Sequence, residues 1–543
     1  MASVASHSCT SVLCSAFIEA SEKFRVGHSG GVAHPDYYSF LCTPKKTGLK
    51  NILLFGAGKS ASVLIEYLIE NGAENDWHLT VVDADKDLIE QKTRSHPSST
   101  AVAADITDEE TRRTLIIDSD LVISMMPPFL HILIAKDCVQ YAKHLLTASY
   151  ADEQIKALAD EVKSKGILFL CEMGLDPGID HMSAMQLIHD IKEKGGTIRS
   201  FESHCGGLVA PESDNNPWHY KISWNPRNVV LAGKAGAEYK KDGKIITEKY
   251  EDLFDAERKI ETGDTGIGAL SYYPNRNSLP YIDLYSLHDA QTFVRTTLRY
   301  RDFMLGWKNI ITLKLTDEIP IYQSNGLTLA GFFQQHMDKY GFSEKLMNDV
   351  KENEAFTSSV LNILADTLGP EADPEAIVIN EAGEMTTKQE AGFKAPSLHE
   401  LTMNAHDANM ILQQLYFLGL DDVEHTINKG LISAADGLQF ALETKLALSP
   451  ADKDMIVMQH DIGYELNGSS HRVVSSLVVK GKDSIHTAMA KTVGLPLGIA
   501  AKLILNGSIQ LSGLHLPVIK EIYLPVLKEL ELNGIRFVEA ISK

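Results

Sequence analysis

The segment Phe55-Gly56-Ala57-Gly58-Lys59-Ser60-Ala61 joins an apolar run, Asn51–Phe55, to a stretch with helical spacing, Ala61–Glu70. This G-x-G-x-x-A turn constrains the fold more than any other part of the chain. Gly56 permits the tight turn out of a strand, Gly58 lets a pyrophosphate approach the backbone, and the small Ala61 lets helix and strand pack closely. Lys59 and Ser60 fall at the helix N-terminus, whose free N–H groups suit an anion. A second apolar run, His78–Val82, leads into Asp83. An acid there accepts hydrogen bonds from ribose hydroxyls and repels a 2′-phosphate, so the expected dinucleotide is NAD in preference to NADP. Gly58-Lys59-Ser60 also resembles the tail of a P-loop, but Leu53 stands where that loop needs its first glycine.

Further apolar runs at Thr100–Ala103, Leu121–Ser124, His144–Ala148 and Ile167–Leu170 alternate with helical spacing over Asp108–Ile117, Ile132–Tyr141 and Asp152–Lys163. Such alternation means parallel strands joined by right-handed crossovers, an α/β fold with a Rossmann doubly wound parallel sheet. The ends of those strands should converge on one crevice. Asp105 and Ile106 are expected near the adenosine half of the cofactor. Met126 and Pro127 are expected along its nicotinamide half, and Ala148-Ser149-Tyr150 beside them. After the sixth strand, Leu175-Asp176-Pro177-Gly178 reads as a turn and Asp180 as the N-cap of a helix from His181. Asp176, in a glycine-flanked loop at the sheet edge, is the stronger chemical candidate; His181 is a second choice as general base.

At 543 residues the chain exceeds one hydrophobic core, and two or three domains are expected. Beyond about residue 195 the reading is an α+β substrate and dimerisation domain with a helical insert. Strands are expected at Thr197–Ser203, Val229–Leu231, Tyr281–Tyr285, Asn309–Leu315, Asp454–His460 and Val473–Val479. Helices are expected at Leu327–Tyr340, Ser343–Lys351, Thr357–Leu368, Ala405–Leu418 and Ala434–Leu446, with a loop over Gly369–Pro396. The expected division is 49–180 for the Rossmann domain, rejoined by about 487–543. The α+β domain takes 181–325 and 451–486, and the insert 326–450. The net charge of −21 argues against nucleic-acid and anionic-membrane partners. No run of 18 apolar residues occurs, so no transmembrane helix is predicted. Six cysteines without a CxxC pair suggest free thiols in a reducing, cytoplasmic setting. Residues 1–48 are Ser-, Gly- and Cys-rich and are expected to be a disordered extension. A translation start near Leu49 fits them better than an organelle transit peptide, which would be richer in Arg.

Residues 203–227 are polar and rich in Gly and Pro, yet hold Trp218, Trp224, Tyr220, His204, His219, Cys205, Lys221 and Arg227. The expectation is a long functional loop, neither core helix nor buried strand. Ring faces and cations together suit a polar, carboxylate-bearing small molecule.

Taken in order, several segments resemble the glutamate-forming saccharopine dehydrogenases. They are Gly56-Ala57-Gly58, Ser149-Tyr150, Gly174–His181, His204–Leu208, Tyr220–Trp224, Val294–Tyr300, Asp454–His460 and Ala488–Gly494. The resemblance covers about 50–520. It implies a homodimer that oxidises the secondary amine of saccharopine to an imine, which water splits to glutamate and 2-aminoadipate 6-semialdehyde, in lysine metabolism. It also implies that Tyr150, Asp176 and Cys205 line the reacting centre, Trp224 stands in the pocket wall and Arg299 pairs with a substrate carboxylate. Gly206 lies beside Cys205, and Lys221 and Arg227 are candidates for the remaining two carboxylates. His204 and Val209 depart from the Tyr and Pro frequent in the family. Two other readings are a related C–N oxidoreductase, such as carboxynorspermidine dehydrogenase, and a non-catalytic dinucleotide sensor.

Overall fold

The computed structural model describes residues 48–262, 266–342 and 398–542, with the strand pair Ile377–Ile379 and Met385–Thr387 besides. The extension expected over 1–48 lies, but for its last residue, outside the described residues. So do the helices expected over 343–351 and 357–368 and most of the loop expected over 369–396.

Six strands, β1 (Lys50–Phe55), β2 (Trp77–Asp83), β3 (Ser99–Ala103), β4 (Leu121–Ser124), β5 (His144–Thr147) and β6 (Leu168–Leu170), form one parallel sheet with Gly513–His515. The spatial order is 513–515, β6, β5, β4, β1, β2, β3, a doubly wound arrangement that reverses direction between β1 and β4. Its strands β1, β4 and β6 are largely continuous apolar runs because both faces are covered there. Ile52 and Leu54 face a core shared with the helices Ser62–Asn75 and Ala488–Leu505, whereas Leu53 and Phe55 face the helices Glu109–Ile117 and Pro128–Gln140. The helix Ala488–Leu505 approaches Ser62–Asn75 closely because Gly494 lies against it. A methyl group there would fall 2.9 Å from the Leu64 nitrogen.

A mixed ten-stranded sheet forms the second layer. Its long central strand is β7 (Thr197–Val209), paired in parallel with Thr292–Arg299 and antiparallel with Asp454–Leu466. Residues 203–209 are thus the second half of a buried strand, which corrects the loop expected there. Their polarity is met inside the sheet: His204 Nδ1 lies 2.6 Å from Thr296 Oγ1 on the neighbouring strand. Asn467-Gly468, with φ of 52° and 75°, turns Asp454–Leu466 back into Ser469–Lys480. Positive φ at both central residues is the geometry such a hairpin favours.

Three expected strands are helical. Val229 and Val230 end the helix Pro226–Val230, all of Tyr281–Tyr285 but its last residue lies in Pro280–Leu284, and most of Asn309–Leu315 belongs to Arg301–Thr312. Proline at the first turn opens the first two. In the third, Phe303, Met304, Trp307, Ile310 and Ile311 make one buried stripe at helical spacing, which outweighs the β-branched run. That stripe joins a separate core with Trp218, Phe332, Phe333 and Leu438, built on the helices Leu329–Tyr340, Leu398–Phe417 and Ala434–Lys445.

Candidate active site

The glycine turn is shaped from several sides. Gly56 has φ +96°, and a Cβ there would lie 2.8 Å from the Met125 carbonyl oxygen. Gly58 has nothing within 4 Å of a built Cβ, so its outer face is open. Lys59 is exposed, Ser60 half-buried, and Ala61 packs into the core. Asp83 at the end of β2 accepts the Ala57 N–H at 2.8 Å through Oδ2 and the Asp85 N–H at 3.1 Å through Oδ1. Lys92 Nζ donates to the carbonyls of Ala57 and Gly58, each at 2.6 Å. An open glycine backbone at the first turn of a helix, with an acid at the end of the next strand, fits a dinucleotide.

Along the crevice, Met126 is half-buried and Pro127 exposed. Asp105 is spent on its own turn, accepting the Thr107 N–H and hydroxyl, while Ile106 is buried and its carbonyl accepts from Arg112. Ser124 at the end of β4 and Ser149 after β5 are bridged by the His131 ring, at 2.7 and 2.8 Å. Burial lowers the His131 pKa to about 4, so the bridge is neutral.

The loop after β6 delivers the acidic group. The Asp176-Pro177 peptide is cis. Asp176 Oδ1 lies 2.6 Å from Arg295 Nη2 and 3.4 Å from the Tyr150 hydroxyl. Arg295 Nη2 also reaches Asp180 Oδ2 at 2.6 Å, and its guanidinium stacks 4.3 Å over the Tyr281 ring. Burial pushes the Asp176 carboxyl up to about 6 against the pull of Arg295. Asp180 is buried as well, but His181, Arg295 and the Gly178 N–H hold it below its ordinary value. Burial raises the Tyr150 hydroxyl and the Cys205 thiol well above their usual range, so both are neutral hydrogen-bonding groups. His181 lies deeper, fully buried, with Nε2 2.8 Å from Glu172 Oε2 and Nδ1 2.5 Å from the Tyr285 hydroxyl. It supports the loop from within.

Arg295 and Arg299 stand four residues apart on one strand and therefore point to the same face. Arg299 is 4 % exposed; its Nη1 donates to the Leu298 carbonyl and its Nε has no partner. The guanidinium lies 5.3 Å over both Tyr220 and Phe303, and Trp224 Nε1 donates to the Tyr220 hydroxyl at 3.0 Å. A buried cation walled by rings, with no carboxylate in ion-pair range among the described residues, suits an anionic ligand.

Lys221 and Arg227 are not free for that task. Lys221 Nζ pairs with Asp452 at 2.6 Å, and Arg227 pairs with Asp436 at 2.8 Å and Glu318 at 2.9 Å. Gly206 is a packing position, for a Cβ there would meet Leu298 at 2.6 Å. Arg295, four residues before Arg299, is as deeply buried, so neither lies on a solvated face. One residue escaped the sequence reading. Arg276, with φ +53°, is exposed and places its guanidinium 5.4 Å over the Tyr150 ring, a neighbour no local pattern announces.

Fold and crevice define a protein with a Rossmann dinucleotide-binding domain and a second domain built on a mixed sheet. The saccharopine dehydrogenase NADP binding domain matches residues 52–170, and the saccharopine dehydrogenase C-terminal domain matches residues 174–535. The saccharopine dehydrogenase [NADP(+), L-glutamate-forming] of Saccharomyces cerevisiae is 33% identical over 484 residues, covering 87% of this chain and 95% of that protein. The alpha-aminoadipic semialdehyde synthases of Arabidopsis thaliana and Bos taurus are 31% and 33% identical over 91% and 90% of this chain. The chain spans about half the length of those two relatives, 45% and 47%. The apo saccharopine dehydrogenase (L-Glu forming) structure from Saccharomyces cerevisiae superposes with a TM-score of 0.70 at 30% identity, covering 91% of this chain and 100% of that one. The chain belongs to the saccharopine dehydrogenase family.

Proposed function

We propose that this chain oxidises the secondary amine of saccharopine with a nicotinamide dinucleotide, releasing L-glutamate and 2-aminoadipate 6-semialdehyde. The observation that carries the reading is one strand face with two buried cations: Arg295 holds Asp176, which lies 3.4 Å from the Tyr150 hydroxyl, and Arg299 has an Nε without a partner among the described residues. A bound nicotinamide ring supplies the hydride acceptor. Asp176 takes the amine proton as the carbon beside nitrogen loses its hydride, which leaves a carbon–nitrogen double bond. Water then adds to that carbon, and the carbon–nitrogen bond breaks to give aldehyde and amine. Tyr150 and Cys205, neutral and weakly acidic, hold the nitrogen by hydrogen bonds. Arg299 and Arg276 hold carboxylates. Gly56, Gly58, Lys59, Ser60 and Ala61 cradle the pyrophosphate, and Met126 and Pro127 flank the nicotinamide half.

Purified protein is mixed with saccharopine and either NAD or NADP, and absorbance of the reduced cofactor is followed. Production of reduced cofactor with release of glutamate is expected. No turnover with either cofactor overturns the proposal.

A further inference from the structure

Ala57 is gripped at both of its backbone polar groups. Its N–H donates to Asp83 Oδ2, and its carbonyl accepts from Lys92 Nζ, which also reaches the Gly58 carbonyl. Asp83 is therefore not a free carboxylate pointing out of β2; one of its oxygens is committed to the turn and the other to the Asp85 N–H. Lys92 is half-buried, and its ammonium donates to neutral carbonyls with no carboxylate in ion-pair range among the described residues. A negative and a positive side chain thus hold the two backbone polar groups of one residue, at the place where the adenosine ribose of a dinucleotide meets the glycine turn. The two charges act on a 2′-phosphate in opposite directions. Two relatives are named for NADP(+), a cofactor that an unopposed carboxylate at the end of β2 disfavours.

We propose that Lys92 and Asp83 form an opposed pair that sets cofactor selectivity, so that the chain accepts both NAD and NADP. Asp83 favours the free ribose hydroxyls, and Lys92 offsets its repulsion of a 2′-phosphate. The inference rests on the reading of the crevice as a dinucleotide site but not on saccharopine as substrate. Burial lowers the Lys92 pKa to about 8, while Asp83 acts to keep it charged. An ammonium so placed is stabilised further by an arriving phosphate.

The test uses the full chain and two probes without a nicotinamide ring, ADP-ribose and 2′-phospho-ADP-ribose, titrated by calorimetry at pH 7. Wild type is expected to bind both within roughly tenfold of one another. Lys92→Met is expected to weaken the phosphorylated probe about tenfold more than the plain one, Lys92→Arg to restore it, and Asp83→Asn to shift selectivity the other way. If Lys92→Met weakens both probes equally, Lys92 only shapes the turn and the proposal falls. Wild-type discrimination beyond about 100-fold in either direction also overturns it. Binding of neither probe removes the dinucleotide site itself. Failure of saccharopine turnover with both probes bound leaves this inference standing and overturns only the substrate assignment. Circular dichroism of each variant confirms that the fold is retained.

Discussion

Arg295 Nη2 lies 2.6 Å from Asp176 Oδ1 and 2.6 Å from Asp180 Oδ2, so one buried nitrogen is shared between two carboxylates. The pair is unequal. Asp180 also accepts the Gly178 N–H at 2.6 Å, whereas Asp176 has only the longer contact to Tyr150. Asp176 is therefore the member that exchanges a proton near neutral pH, and Asp180 keeps its charge to hold Arg295.

Its pH profile follows. With its pKa pushed up to about 6, Asp176 is ionised only above that value, and the proposed transfer of the amine proton requires the ionised form. In the amine-oxidising direction kcat/KM is expected to fall about tenfold per pH unit below about 6. Arg295→Gln removes a cation that lowers the Asp176 pKa, so the limb moves to higher pH. Asp180→Asn removes a like charge that raises it, so the limb moves the other way. Initial rates across pH 5 to 9 with both variants check the assignment, and a limb unmoved by either assigns it to another group.

The cations of the pocket wall separate by their partners. Arg299→Met is expected to raise the KM for saccharopine about 10- to 100-fold and leave that for the dinucleotide unchanged, because a charge-assisted contact to a carboxylate is lost. Lys221→Met leaves Asp452 mostly buried without its ammonium, so stability falls by about 3 kcal/mol. The KM of the folded enzyme should then hold within about threefold. A KM rise for Lys221→Met equal to that of Arg299→Met would return Lys221 to the substrate site.

Two glycines within the same site should respond oppositely. Gly206→Ala places a methyl group 2.6 Å from both the Cβ and the carbonyl oxygen of Leu298. Central strands cannot move apart cheaply, and a cost of about 1–3 kcal/mol is expected as a lower melting temperature. Gly58→Ala meets no atom within 4 Å and has φ −59°, so stability should be unchanged. Its methyl group instead occupies the phosphate approach, and dinucleotide affinity is expected to fall at least about tenfold. Melting curves and dinucleotide titration on both variants read the two effects separately.

What the sequence made legible follows from how far apart the interacting residues lie. The parallel sheet and its glycine turn were visible because doubly covered strands read as continuous apolar runs and the turn chemistry is local. β7 was not. His204 is satisfied by Thr296, 92 residues on, so its segment looked like a solvent-facing loop. Lys221 and Arg227 looked available for the same reason, since their acids lie 231, 209 and 91 residues away. Tyr281–Tyr285 has the aromatic and β-branched content of a strand, yet Pro280 and the ring packing of Tyr281 and Tyr285 around His181 hold it helical. Arg276 depends on a positive φ that its residue type does not announce.

The segment that walls Arg299 is fastened by a charged histidine, and its loosening should be visible in both stability and substrate affinity. His219, at φ +46°, places Nδ1 2.6 Å from Asp214 and Nε2 3.3 Å from Asp302 on the helix Arg301–Thr312. These contacts raise its pKa to about 10, so it is an imidazolium at neutral pH. Because the folded pKa lies above the unfolded one, the stabilisation is fully present below about pH 6.5 and is lost as pH rises through about 10. The side chain is partly exposed, and solvent screening keeps the effect modest. His219→Gln should flatten the dependence of the urea midpoint on pH between 6 and 10. It should also speed proteolytic cleavage within 211–224 and raise the saccharopine KM, because Tyr220, the next residue, no longer stands firmly against Arg299. Unchanged cleavage and KM would show that the segment is held by its buried Trp218 and Tyr220 alone.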